Sequence, residues 1–260
     1  MSNTSVFYEN LRPAQFVQRI SESPVAYLPL GTLEWHSYHL PLGTDGIQAQ
    51  NILGRIAEHV GGIVLPMIFL GPDCHSTKNG KDFYGMDILG FEEGNPQQLA
   101  GSAYYVEDAF FASLLDNILS NLARAGFKII VAHGHGPSTN FFSEQKEHFK
   151  KKFGLETFTL FDLGFQGKDG LMTDHAATNE TSLIMAMRPE LADLSCLPKE
   201  EIPTAVWGRD PRKYACAEEG NRLINLNLEH IEKQLKPLIV DAKTAPLSLD
   251  YTNQKNLLEE

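Results

Sequence analysis

The chain has 260 residues, 42% of them hydrophobic and 21% charged, which is ordinary globular usage and enough chain to bury a core without disulfide staples. A formal charge of −11, from 22 basic and 33 acidic residues, argues against nucleic-acid or anionic-membrane binding, since both need a basic face. Acidic runs at Lys199-Glu200-Glu201, Glu218-Glu219 and Glu259-Glu260 have the character of solvated surface. The three cysteines, Cys74, Cys196 and Cys216, are far apart and form no CxxC pair, which suits a reducing compartment. No leader pattern opens the chain and no apolar stretch approaches a membrane span, so a cytoplasmic location is expected.

In chain order, Val25-Ala-Tyr-Leu-Pro-Leu30 is predicted as a strand ending in a turn at Gly31. Ile47, Ile52 and Ile56 fall at helical spacing, which predicts a helix over Ile47–His59, followed by a strand over Ile63–Pro66. Residues 71–102 are rich in Gly, Pro, Asn and Asp and show no period; a loop of that length is functional or forms an excursion of its own. Val106–Ala125 is strongly helical with Gly126 as its C-cap, and Lys128–Ala132 is a buried strand broken by Gly134 and Gly136. A helix over Asn140–Lys152, a strand over Thr157–Phe161, a helix over Glu180–Met187 and a last helix over Glu218–Leu235 follow. Short apolar strands alternating with helices predict the α/β class. The expectation is one domain over residues 1–260, a three-layer α/β/α sandwich with a mostly parallel central sheet. In such folds ligands sit beyond the C-terminal ends of the strands.

The unusual residues gather at those ends. After the first strand come Glu34, His36, His39 and Asp45. Glu34 and His36, two apart, project to the same side in extended chain, and a carboxylate beside an imidazole suits a borderline divalent ion. Asp45 follows a Pro-Leu-Gly-Thr turn that folds it back toward that pair, and its two oxygens suit it to bridge two ions. After the strand ending at Ala132 come His133 and His135, with glycines on both sides of His135 leaving its imidazole uncovered; His135 is the better ligand of the two. The third cluster, Asp174, His175 and Glu180, enters a helix with Thr178 or Asn179 at its N-cap. Asp174 is expected to orient His175 for proton transfer. Singly, each cluster is an ordinary loop or helix start; together they supply carboxylates and histidines in the proportion a metal site needs. No Walker A motif, strand-linked GxGxxG or GxSxG elbow competes.

These residues resemble the creatininase (creatinine amidohydrolase) family. Gly31-Thr-Leu-Glu34-Trp-His36-Ser37-Tyr-His39-Leu-Pro41 with Thr44-Asp45 is similar to the family's first motif, with Ser37 where a glycine is usual. His133-Gly-His135-Gly136 resembles the second, Asn-Gly-His-Gly-Gly-Asn, altered by Pro137 and an apparent insertion before Asn140. Asp174-His175-Ala176 with Glu180-Thr181-Ser182 resembles the third; Gly208, Asp210-Pro211 and Ala217-Glu218-Glu219-Gly220 are similar to a late segment. The resemblance implies one divalent ion on Glu34, Asp45 and His135 and a second on His36, Asp45 and a further carboxylate. Creatininase proper carries a glutamate at the position of Pro137, so the resemblance implies Glu180 as that carboxylate and makes creatinine a poor substrate candidate. It further implies a homohexamer.

The expected function is a dinuclear metal-dependent hydrolase holding Zn²⁺ or Mn²⁺, with Fe²⁺ also compatible with mixed N/O ligands. Its substrate is expected to be a small cyclic amide or related C–N compound, with His175 and Asp174 as proton carriers. His39, His133 and Tyr84 are expected to bind substrate or support the ligands, and the loop around His75, Phe83 and Tyr84 to close over the site. Ring opening of a cyclic diketone derived from an inositol is the alternative reaction, and an inactive metal-binding scaffold the non-enzyme alternative.

Overall fold

Alternation along the central strands decides the layering, because successive strand side chains point to opposite faces. In a computed structural model that describes residues 5–243 apart from Glu200 and Ile202, the chain forms ten helices and six strands. Glu200, Glu259 and Glu260 of the acidic runs lie outside the described residues, as do the ends of the expected 1–260 domain.

The elements are α1 (Pro13–Glu22), β1 (Val25–Leu30), α2 (Thr44–Val60), β2 (Ile63–Val64), β3 (His75–Lys78), β4 (Lys81–Tyr84) and α3 (Met86–Leu89). There follow α4 (Asp108–Ala125), β5 (Ile129–Gly134), α5 (Gly136–Glu144), α6 (Lys146–Phe153), β6 (Glu156–Thr159), α7 (Leu160–Leu163), α8 (Thr178–Met187), α9 (Pro211–Tyr214) and α10 (Ala217–Lys243). The central sheet has strand order β2-β1-β5-β6, all parallel. Val25, Tyr27, Ile129 and Val131 face one core with α2, α8 and α10. Ala26, Leu28, Leu30, Ile130 and Ala132 face the other, with Ile20 of α1, Phe111 and Leu115 of α4, and Phe142 and Phe149 of α5 and α6. Both faces of the sheet are covered, so β1 and β5 are buried along their whole length. The result is the three-layer α/β/α sandwich.

Departures from the predicted elements have local causes. β2 stops at Val64 rather than Pro66. The next β1 residue on that side, Pro29, has no N–H to offer; its carbonyl accepts from Ile68 instead. The N-terminal helix α1 was not among the predicted elements, though Pro13 stands in its first turn and Gln15 Oε1 accepts the Arg12 N–H. Gly126 is left-handed at the end of α4 and closes it as expected. The predicted helix over Asn140–Lys152 starts earlier, at Gly136, and is broken between Glu144 and Lys146. The predicted strand over Thr157–Phe161 ends at Thr159, where Asp162 accepts both the Thr159 N–H and hydroxyl and starts α7.

The unpatterned loop is an excursion of its own. Its hairpin, β3 and β4, turns at Asn79-Gly80, both at positive φ, the turn geometry that matches strand twist. The hairpin is mostly exposed and held by buried Phe83. Pairings Leu33–Ala103 and Gly71–Tyr105 tie the excursion's ends to the core.

Candidate metal centre

The three polar clusters converge beyond the C-terminal ends of β1 and β5. Ligand-capable atoms of His36, Asp45 and Glu180 lie within 4.8 Å of one another, as do those of Glu34, Asp73 and His135, and those of Glu34, His36 and His175. All five residues expected as ligands are 5% exposed or less. The turn ending at Gly43 folds Asp45 back to His36, with Oδ1 3.3 Å from Nε2. Thr44 already belongs to α2, and Asp45 lies in that helix's first turn, where the helix dipole favours an anion. His135 follows β5 directly and precedes α5, with Pro137 in that helix's first turn. A Cβ on Gly134 would lie 1.6 Å from the Leu30 carbonyl oxygen, at φ +143, so only glycine allows β5 to turn out beside β1. The His135 imidazole is covered rather than open: Ser138 Oγ lies 2.9 Å from Nδ1 and Asp73 Oδ2 lies 3.1 Å from Nε2.

His36 supplies the test of fit to a metal. Its Nδ1 lies 3.1 Å from the Glu34 carbonyl, which can only accept, so Nδ1 carries the proton. Nε2 is fully buried and has no hydrogen-bond partner of good geometry. It faces Asp45 Oδ1 at 3.3 Å and Glu180 Oε2 at 3.6 Å. Two carboxylates converging on one buried nitrogen call for positive charge at that point, either a proton on Nε2 or a divalent cation that makes all three into ligands. The cavity over the centre, about 540 Å³, has no Lys or Arg among its described lining residues to balance Glu34, Asp45, Asp73 and Glu180. The residues present fit a metal.

The electrostatics agree. Burial alone lowers the His36 imidazole, but Asp45, Glu180 and Glu34 together raise it to about 10. Burial raises Glu34 to about 7 against the pull of His135, and raises Glu180 well above the usual carboxylate range against the pull of His36. Asp45 is also desolvated, yet adjacent His36 holds it below that range. Without metal, the centre keeps protons where a cation belongs.

The expected partnership of Asp174 with His175 is corrected by the structure. Asp174 accepts the backbone N–H groups of Asn179 and Glu180 at 2.7 and 3.1 Å. It therefore caps α8, the part expected of Thr178 or Asn179. His175 is oriented instead by Trp35, whose carbonyl lies 2.9 Å from Nε2, so Nε2 holds the proton and Nδ1 is the acceptor. Burial, then nearby His36, pulls His175 down to about 3. Its ring lies 4.2 Å from that of His36, and it lines the cavity with Trp207.

The expected supporting residues separate. His39 Nε2 meets the Thr181 hydroxyl at 2.9 Å, tying its loop to α8 one residue beyond Glu180. His133 is fully buried in β5 and packs edge-on against Phe161, outside the cavity lining. Tyr84 also lies outside that lining, stacked between His75 and Tyr105 at 4.5 and 5.0 Å. Sequence reasoning missed Asp73, the Trp35 carbonyl, Ser138 and Trp207. Only Asp73 left a signal, as an acid beside Gly71-Pro72 in the excursion.

A parallel α/β sandwich with a buried histidine–carboxylate centre beyond its strand ends has the architecture of a metal-dependent hydrolase. The chain belongs to the creatininase (creatinine amidohydrolase) family, whose model matches residues 9–234. It is 24% identical to a creatinine amidohydrolase of Pseudomonas putida over 234 residues, 80% of this chain and 84% of that one. A crystal structure of creatinine amidohydrolase shares the fold at TM-score 0.67 and 21% identity, covering 91% of this chain and 99% of that one. A putative creatinine amidohydrolase from Bacteroides fragilis gives TM-score 0.62 and 21% identity, covering 94% and 99%. Related creatininase structures are described as a Zn–Zn type and as a Mn form.

Proposed function

We propose that this chain is a dinuclear metal-dependent amidohydrolase that opens a small cyclic amide. Glu34, Asp45 and His135 would hold one divalent ion, and His36, Asp45 and Glu180 the second. The observation that carries the reading is the buried, unpartnered His36 Nε2 facing Asp45 and Glu180. Zn²⁺ or Mn²⁺ bound by these residues would lower the pKa of a water toward neutrality and polarise the scissile carbonyl.

The chain's own groups do the rest. His175, fixed by Trp35, offers Nδ1 as the carrier of a proton to the leaving nitrogen. Held to about 3 by burial and His36, it is neutral at rest and gives up the proton readily once it carries it. Asp174 acts at one remove, holding the start of α8 and thereby Glu180. Phe161, Met172 and Trp207 line the cavity with apolar surface that excludes water from a small ring. Creatinine is not the proposed substrate, because Pro137 lines the cavity where the sequence resemblance leads one to expect a glutamate in creatininase proper.

The test is turnover by Zn²⁺- or Mn²⁺-loaded protein on a panel of lactams, formamides and cyclic diketones. Lactam hydrolysis lost on chelation and restored by metal supports the reading. Turnover of diketones alone replaces C–N with C–C cleavage, and no turnover with both ions bound removes the enzyme. We further propose a single domain, cytoplasmic and homo-oligomeric, hexameric by the family resemblance. Free Cys74, Cys196 and Cys216 support the compartment, and exposed Tyr38, Phe110 and Tyr214 support the assembly; sedimentation equilibrium tests the latter. Among the described residues no helix is long and apolar enough to cross a membrane.

A further inference from the structure

Resting on the metal reading above, we propose that Asp73 is a ligand of the first ion, with Glu34 and His135, and that this bond fastens the excursion over residues 71–105 to the core. Asp73 has one oxygen committed to its own turn and the other directed at His135. Oδ1 accepts the Cys74 N–H at 2.6 Å, while Oδ2 stands 3.1 Å from His135 Nε2. That nitrogen is also 3.8 Å from Glu34 Oε2. Ligand atoms held tetrahedrally at about 2.0–2.1 Å from one ion stand about 3.3 Å apart, and the two observed separations lie either side of that value. The Asp73 side chain is 3% exposed, so its charge has no solvent to answer it.

The backbone is shaped around the same point. Gly85 has φ +51 and ψ −120. A Cβ there would lie 2.6 Å from Asp73 Oδ2, 2.8 Å from Glu34 Oε1 and 3.0 Å from the Tyr105 hydroxyl. Two carboxylate oxygens from distant parts of the chain thus converge where no side chain fits. Converging buried carboxylates repel unless a cation joins them. The adjoining His36 Nε2, buried and unpartnered, independently marks the cluster as a cation site. Asp73 enters it from the excursion, whereas Glu34 and His135 follow β1 and β5. Ion binding at this position therefore closes a link between excursion and sheet, beside the Gly85 N–H to Cys74 carbonyl bond.

The competing arrangement is a plain hydrogen bond, His135 Nε2–H donating to Asp73 with Nδ1 accepting from Ser138. Counting ions per chain in wild type and Asp73→Asn separates the two. The expected result is about two ions in wild type and about one in Asp73→Asn, with affinity at the lost position down more than about a hundredfold. Proteolysis within residues 72–100 should also become faster than in the loaded wild type. Asp73→Cys with Co²⁺ provides a second measurement that does not depend on occupancy. A near-ultraviolet thiolate-to-cobalt band absent from wild type, which already carries Cys74, places residue 73 on the ion. Asp73→Asn retaining both ions with wild-type resistance to chelator, or Asp73→Cys binding Co²⁺ without the band, overturns the assignment while leaving the metal reading intact. Wild type that takes up no ion overturns both.

Discussion

The two halves of the centre stand on different ground. His36, Asp45 and Glu180 come from the post-β1 segment and the first turns of α2 and α8, packed against one another in the core. Glu34 and His135 instead face Asp73, which arrives on a polar excursion whose hairpin is largely exposed. Core packing surrounds the first group, all of it 5% exposed or less. The second group holds its geometry only while something offsets the repulsion between Glu34 and Asp73. On the proposed two-ion reading the two halves differ in preorganisation, and the half that Asp73 enters is the one expected to respond to its ion.

The largest effect tests the rigid half. His36→Ala should remove one ion and lower turnover by about a thousandfold or more, without changing the fold, as read by elemental analysis and steady-state kinetics. Next comes pH, which titrates the frame behind both halves. Burial holds His39 down to about 4 and His133 to about 4, and burial with nearby His36 holds His175 to about 3. Because these folded-state values lie below the unfolded value of about 6.5, the unfolded chain binds more protons between them. Their contribution is whole above pH 6.5 and is lost as pH falls through 4. Glu34 and Glu180, raised by burial in the metal-free protein, act in the opposite sense over the same range, so the histidine share is read ring by ring. NMR titration should show His39, His133 and His175 neutral down to about pH 4, and a ring that titrates near 6.5 would contradict this.

Gly85→Ala probes the responsive half. Left-handed backbone with a Cβ costs about 1–2 kcal/mol, and the methyl intrudes between Asp73 and Glu34. The first ion should be lost while the His36 position keeps its own. Loss of both ions together would break the comparison. Thr181→Val removes the partner of His39 beneath Glu180; an unsatisfied buried imidazole costs about 1–3 kcal/mol, and the melting temperature should drop with the ion count unchanged. The smallest effect is stabilising. Ser37 is left-handed at φ +56 with its buried hydroxyl unpartnered, so Ser37→Gly should add up to about 1 kcal/mol.

What the sequence revealed followed from local pattern. The strand and helix runs carried the layering, because apolar alternation and helical spacing are written residue by residue. Glu34, His36, Asp45 and His135 stood out because they follow a strand or enter a helix, whereas Glu180 was singled out by the family resemblance and Pro137. Asp73 was not, since its position depends on a long excursion without period and on the φ of Gly85, twelve residues away. Asp174 misled for the opposite reason: beside His175 in sequence, it turns to the α8 amides, which offer two N–H donors at short range. The shortness of β2 was written in Pro29, but on the partner strand. Pairwise consequences of that kind become visible only once strand order is known.

The central claim is tested most directly by metal content per chain, measured by elemental mass spectrometry on freshly purified protein and again after reconstitution with Zn²⁺ or Mn²⁺. The account predicts about two transition-metal ions in wild type and about one in His36→Ala. Wild type that stays free of metal after reconstitution would contradict it, leaving the buried His36 and its facing carboxylates as a proton-filled relic of the fold.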